Sequence, residues 1–281
     1  MQELGWVFGF SSNISSGVVD LRTSTCPKSV CYAAGHNFII YDGNTHTQMI
    51  LQGHVHQIQC LAAAPDKSCI LTCDAGCDAL LIQWDSKTGQ AMKAVSQART
   101  NGIIAVDVSS DGSFFATLSA TMSADMLQEL SIWDMVLGNE PLCTASVASD
   151  DLQICVRFNE ADGGELITNG STTVFFWRHL TTHNISMHDH PSAASDAKGE
   201  NKDVNHHHLE GAQAVFKPKE LKCVPGSFTV SSFSPNPQIA YSGTVDGDAI
   251  CWGEISESYP TTQGCYHSTQ SSEQIPLNWV C

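Results

Sequence analysis

Short apolar runs recur along the chain, each closed by a turn rich in Asp, Gly or Pro. Residues 53–99 show the pattern most clearly. Ile58–Ala64 leads to Pro65-Asp66, Cys69–Cys73 to a turn at Asp74–Asp78, and Leu80–Asp85 to Thr88-Gly89, with Ala91–Val95 closing the set. Four short runs separated by turn residues predict a four-stranded meander. Ile104, Val106 and Val108, then Asp111-Gly112, then Phe114, Ala116 and Leu118 repeat it. So do Phe228 and Val230, Pro235–Pro237, Ile239–Thr244 and Asp246-Gly247. The runs are apolar on both parities: Leu80 and Ile82 alternate with Ala79 and Leu81, and Val174–Trp177 has no polar side chain. A strand with one wet face would alternate, so these strands belong to sheets covered on both sides.

An aromatic residue ends each third run: Tyr41-Asp42, Trp84-Asp85, Trp133-Asp134, Trp177-Arg178 and Trp252-Gly253. Their spacings are 43, 49, 44 and 75 residues. The first three match the period of roughly 40–45 residues of the WD40 repeat. The expected fold is therefore all-β, a WD40-type β-propeller segment over residues 4–256, with about five four-stranded blades at 4–52, 53–99, 100–149, 150–190 and 226–256. A polar, histidine-rich insertion at 191–225 accounts for the long last interval, and 257–281 reads as a polar tail in which Ile275–Val280 is a candidate strand. Five blades in an open arc would leave two apolar faces bare, so part of a longer propeller is favoured.

In WD repeats a turn Asp orients a His from a preceding Gly-His pair, and a hydroxyl links that His to the indole N–H. Asp78 lies six residues before Trp84 and Asp246 six before Trp252. The expected polar network is His54, Thr72, Asp78 and Trp84, with Thr244, Asp246 and Trp252 as a partial second copy lacking the Gly-His pair. A buried imidazole and a buried indole both need partners.

Charge narrows the function classes. Lys and Arg total 13 against 29 Asp and Glu, a formal charge of -16. That balance disfavours nucleic acid and anionic membranes and favours a basic protein surface. No apolar run is long enough to span a bilayer. Met1–Phe10 lacks a basic n-region and is not read as a signal peptide, which points to the cytoplasm. The 12 cysteines are then reduced thiols, most of them small core residues.

Several chemistry-bearing residues have both a functional and a structural reading. His179, His183, His188, His190 and His206, His207 and His208 fall close together, and the last three are the candidate metal ligands. Their Ser-, Asp- and Gly-rich surroundings favour a solvated insertion instead. Cys69, Cys73 and Cys77 lack the second pair of a zinc site and read as packing. His54 reads as structural rather than as a catalytic base, and Asp246-Gly247-Asp248 as a strand-connecting turn rather than a calcium loop. With no convergent acid–base or phosphate-binding motif, neither catalysis nor a cofactor is expected.

Several segments carry a more specific likeness: Leu4–Phe10 (LGWVFGF), Gly17–Leu21 (GVVDL), Phe38–Asp42 (FIIYD), Leu51–His54 (LQGH), Ile70–Asp85 (ILTCDAGCDALLIQWD) and Thr100–Ala120 (TNGIIAVDVSSDGSFFATLSA). Together they resemble the first propeller of the cilia- and flagella-associated WD-repeat protein of the calmodulin- and spoke-associated complex, at the base of radial spoke three. The likeness is densest over 4–135. It implies a non-catalytic scaffold of the axoneme whose partners are spoke-base proteins. Members of that family are longer and many bind calcium through a helix-loop-helix tail; this chain has no such loop, so calcium is not carried over. The alternatives are a general cytoplasmic or microtubule-associated WD40 adaptor, and a metal-responsive module built on the histidine insertion. The acidic charge speaks against direct binding to acidic tubulin tails.

Overall fold

The computed structural model describes residues 5–24, 27–76, 78–96, 102–121, 127–136, 139–147, 149–183, 205–213, 226–236 and 239–252. Within them the chain is all-β, with no helix. The strands form five antiparallel sheets, each a simple meander. The first sheet holds β1 (Val18–Asp20), β2 (Ser29–Ala34), β3 (Asn37–Asp42) and β4 (Thr47–Gln52). The second holds β5 (Ile58–Ala63), β6 (Cys69–Asp74), β7 (Leu80–Asp85) and β8 (Ala91–Ser96), within a residue of the runs read from sequence. The third holds β9 (Ile103–Val108), β10 (Phe114–Ser119), β11 (Gln128–Asp134) and β12 (Cys143–Val147). The fourth holds β13 (Cys155–Phe158), β14 (Glu165–Asn169), β15 (Val174–His183) and β16 (Asn205–Gln213), and the fifth β17 (Phe228–Phe233), β18 (Ala240–Thr244) and β19 (Ala249–Trp252). This arrangement is consistent with a propeller-like class.

One element differs from the sequence expectation. Residues 205–213 fall inside the supposed insertion at 191–225, yet they form β16 and pair along the whole of β15, from Phe175↔Gln213 to His183↔Asn205. The fourth sheet therefore runs past residue 190. The polar composition concealed it: on one face of β16 Leu209 is buried, but histidines and Glu210 fill the neighbouring positions. Ile275–Val280 and Cys77 lie outside the described residues.

Each pair of consecutive sheets encloses its own apolar layer. Ile40, Leu51, Ile70 and Trp84 pack between the first and second sheets, and Leu71, Cys73, Val106 and Trp133 between the second and third. Leu118, Ile132, Leu166 and Trp177 fill the next layer, and Ile167, Phe176, Phe233 and Trp252 the last. Strand β6 shows why both parities are apolar: all six of its residues are buried, with Ile70 facing one layer and Leu71 the other. Each of these four tryptophans faces the sheet that precedes its own. The leading strands lie side by side, β5 by β9, β9 by β13 and β13 by β17. There Arg157 on β13 joins the fourth sheet to the third and to the turn before β1: its Nη2 donates to Ser16 Oγ at 2.6 Å, and its Nη1 lies 3.5 Å from Asp107 Oδ1.

Segment 5–10 is laid across the first sheet by Gln48, which accepts from Val7 N at 2.8 Å and donates to Val7 O at 3.0 Å. Trp6 packs edge-on against Tyr41. The described cysteines are free thiols. Burial pushes Cys31 up to about 12 and Cys143 up to about 11, so both stay protonated and serve as small apolar groups.

Candidate functional site

The polar groups that looked chemical are gathered inside the sheets. Thr72, fully buried in mid-β6, is the hub of the first cluster. Its Oγ1 accepts from Trp84 Nε1 at 2.7 Å and lies 2.7 Å from His54 Nε2. On its other side, His54 Nδ1 is 3.1 Å from Asp74 Oδ2, without the alignment of a full hydrogen bond. Burial lowers the His54 pKa, against the pull of Asp74, so the ring is neutral. One assignment satisfies the chain of contacts: the indole donates to the threonine, the threonine hydroxyl donates to Nε2, and the imidazole proton sits on Nδ1 towards the carboxylate.

The carboxylate is Asp74, not Asp78 as the spacing suggested. Residues two apart on a strand share a face, so Asp74 follows Thr72 into the interior at the end of β6. There it also accepts from Leu80 N at 2.5 Å. Asp78 lies in the turn, where it meets His56 Nε2 at 2.6 Å with both side chains largely exposed.

The last sheet requires a similar correction. Trp252 Nε1 donates to Ser242 Oγ at 2.8 Å, and Ser242 Oγ lies 2.5 Å from Ser231 Oγ. Thr244 instead takes the turn, its Oγ1 accepting from Asp248 N at 3.1 Å. Asp246 is exposed in that turn and outside the cluster.

The same donor–acceptor pair occurs twice more. Trp133 Nε1 donates to Thr117 Oγ1 at 2.8 Å, and Trp177 Nε1 to Thr168 Oγ1 at 3.0 Å. In the fourth sheet Gln153 takes the place of a histidine, its Oε1 accepting from Thr168 Oγ1 at 3.1 Å. Strand register unites the four. The tryptophans pair with Ile70, Phe115, Leu166 and Ala240, and the hydroxyl lies two residues further along in every case. Sequence separation hides this rule, because the turns differ and the intervals are 12, 16, 9 and 10 residues. In the first sheet Tyr41 pairs with Val30, two residues before Tyr32, and no short hydroxyl is available.

Asp151 organises the turn beside Gln153. Its carboxylate accepts from Ser171 N and Oγ, Thr172 N, and Thr173 N and Oγ1 at 2.7–3.1 Å. Burial alone would raise its pKa, but these donors outweigh burial and hold it at about 2. A folded pKa below the unfolded value stabilises the protein above the unfolded pKa and loses that contribution as pH falls through the folded one. Asp151→Asn is therefore expected to lower the urea midpoint near neutrality by an amount worth on the order of 2 kcal/mol. The gap to the parent protein should close as pH is taken from about 5 to about 2. A gap that stays constant over that range would show that the carboxylate charge plays no part.

The metal candidates separate. Among the described residues no group of three or more His, Cys, Asp or Glu is placed to hold a metal ion. His207 Nδ1 lies 3.0 Å from His179 Nε2, with Phe114 edge-on to His179. Burial, with His207 alongside, pushes His179 down to about 4. His208 Nε2 is 3.8 Å from Glu210 Oε1, and of His206 only the strand register with Thr182 is described.

Comparison with known proteins adds the family. A family model described as the CFAP251 N-terminal domain matches residues 2–277. The chain belongs to the CFAP251 N-terminal domain family. Cilia- and flagella-associated protein 251 of Chlamydomonas reinhardtii is 32% identical over 264 residues, covering 89% of this chain and 29% of that protein. Its counterpart in Tetrahymena thermophila is 32% identical over 254 residues, covering 89% of this chain and 22% of that protein. The Mus musculus protein of that name is 31% identical over 251 residues, covering 88% and 17%. This chain thus spans less than a third of each of these relatives. These matches correct the family read from sequence. They name CFAP251 and describe neither a WD40 protein nor a spoke-base protein, so the resemblance to the latter gives way to membership of the CFAP251 N-terminal domain family.

Proposed function

We propose that this chain is a non-catalytic interaction scaffold of the cilium or flagellum, acting within the axoneme, with its sheets as the WD40-type blades of a longer propeller. One observation carries the scaffold reading: in four sheets a tryptophan is tied to a buried hydroxyl at the same register position. The one buried His–Asp–hydroxyl set among the described residues is spent on that task. His54, Asp74 and Thr72 are each at most 6% exposed, so none reaches a substrate. The ciliary placement rests on the names of the relatives. Rigid blades hold loop side chains at fixed positions, and a few of them supply the binding energy. The acidic surface favours basic protein partners over nucleic acid, anionic membranes or tubulin tails.

Affinity capture of the tagged chain from ciliated cells tests this. Recovery with axonemal proteins, the radial spoke base among them, is the expected result. A set of partners confined to the nucleus or to the soluble cytosol would overturn the ciliary placement. Turnover of any captured molecule by the purified chain would overturn the non-catalytic one.

A further inference from the structure

We propose that His179 and His207 form a proton-operated catch, which holds strand β16 against the third sheet and releases it when both rings are charged. This inference goes beyond the scaffold reading and does not depend on it.

The two histidines share one face of neighbouring strands: His207 pairs with Thr181, two residues beyond His179 on β15. Their rings are 17° from parallel, with centroids 5.2 Å apart and the nearest nitrogens, His179 Nε2 and His207 Nδ1, 3.0 Å apart. The rings therefore meet edge to edge, nitrogen to nitrogen, with one N–H donated to one lone pair. That bond takes the lone pair at the contact, so the pair is arranged for a proton rather than for a metal ion. A proton added to the outer nitrogen of the donor ring leaves the bond in place. A proton on the accepting nitrogen removes the acceptor and sets two N–H groups and two positive charges against each other.

The surroundings do nothing to ease that second charge. His179 is only 8% exposed. Phe114 of β10 meets it edge-on with centroids 5.1 Å apart and faces His207 at 6.3 Å. On β12 Cys143 packs in the same layer and stays a neutral thiol. The carboxylates of the adjoining elements are engaged by other groups. Asp134 on β11, which pairs with Phe114, accepts from Val136 N at 2.7 Å. In the turn before β10, Asp111 accepts from Ser109 Oγ at 2.6 Å and Ser113 N at 3.0 Å. Before and on β14, Asp162 accepts from Gly164 N at 2.9 Å and Glu165 holds Arg178 at 2.8 Å. His208 and Glu210 occupy the opposite face of β16. Among the described residues no carboxylate lies within 4 Å of the His179 ring.

The position of the pair gives its opening a consequence. Leu209 is the one buried apolar side chain among the described residues of β16. Gly211 lies directly against the Trp177 ring, so a withdrawn β16 uncovers that indole and the apolar layer between the third and fourth sheets. The direction with pH follows from the depressed His179 pKa. The closed form is fully favoured above the ordinary histidine value of about 6.5 and loses that advantage as pH falls towards about 4.

Hydrogen exchange of the whole 281-residue chain, read by mass spectrometry and corrected for the intrinsic effect of pH on amide exchange, tests this. Protection of β16, taken relative to β8 in the same molecule, is expected to fall by at least about tenfold between about pH 7 and about pH 5. The reference to β8 separates opening at the catch from acid unfolding of the whole chain. The double variant H179Q/H207N keeps an amide donor and acceptor in place of Nε2 and Nδ1 but takes no charge, so its ratio should stay constant. A constant ratio in the parent chain, or an equal fall in the variant, overturns the proposal. If thermal unfolding shows that the variant does not fold, NMR of the parent chain with labelled histidines decides. A His179 ring still neutral at about pH 5, together with the fall in β16 protection, upholds the catch. A His179 that titrates at the ordinary histidine value overturns it.

Discussion

Replacing Thr72 with valine is expected to destabilise the chain by about 3 kcal/mol, although the two side chains have nearly the same shape. The hydroxyl is the acceptor for Trp84 Nε1 and the partner of His54 Nε2, both at 2.7 Å. Valine leaves the indole N–H and the imidazole nitrogen without partners in a site from which water is excluded, and each orphaned buried group costs about 1–3 kcal/mol. Thr72→Ser keeps the hydroxyl and removes one methyl, so it should cost about 1 kcal/mol. Urea unfolding of the three proteins, followed by tryptophan fluorescence, separates the contributions. If valine and serine prove equally costly, packing at β6 matters and the polar hub does not. The same comparison bears on function, because a His54 with a catalytic duty would tolerate or reject these changes according to activity rather than stability.

Gly102→Ala is the second substitution from which a large loss is expected, about 3 kcal/mol or more. Gly102 has φ +116°, outside the conformations open to residues with a Cβ. A Cβ at this position would also lie 2.6 Å from Ala75 Cα and 3.0 Å from Asp74 O. Those are backbone atoms, and they cannot swing aside. Gly102 forms a β-bridge with Ala75, so the link it makes is between the turn after β6 and the start of β9, where the second sheet meets the third. Asp74, the last residue of β6, adjoins that turn, and a displaced turn would disturb its approach to His54. Differential scanning calorimetry should show a clear fall in the unfolding temperature. An unchanged transition would mean that this joint is loose and that the sheets hold together by their apolar layers alone.

Much of the architecture is legible in the chain because the physics behind it is periodic. The runs Ile58–Ala64, Cys69–Cys73, Leu80–Asp85 and Ala91–Val95 become β5–β8 within a residue, since apolar runs bounded by Asp, Gly and Pro leave little choice. The apolarity of both faces anticipated sheets covered on two sides. Strand β16 was not legible. Its partner β15 carries Phe175, Phe176 and Trp177, but β16 itself supplies Gly211 under the Trp177 ring and histidines beyond it, so the strand gains burial from its neighbour's side chains rather than its own. The polar clusters were legible in kind and misplaced in detail. Spacing from the tryptophan selected Asp78 and Thr244, whereas the sheet selects Asp74 and Ser242 through register, which depends on turn length and is set only once the strands pair. Gln153 in a histidine's place left no sequence signal at all.

The four strand-borne tryptophans each reach back to the sheet made before their own, and none reaches forward. Trp84 packs towards the first sheet, Trp133 towards the second, Trp177 towards the third and Trp252 towards the fourth, while Tyr41 meets segment 5–10. Synthesis proceeds in that order, and the earlier portions of a nascent chain fold first. Each meander after the first is thus translated after the sheet on which its tryptophan packs. The described sheets are laid down like courses of masonry, each keyed by its tryptophan to the one beneath.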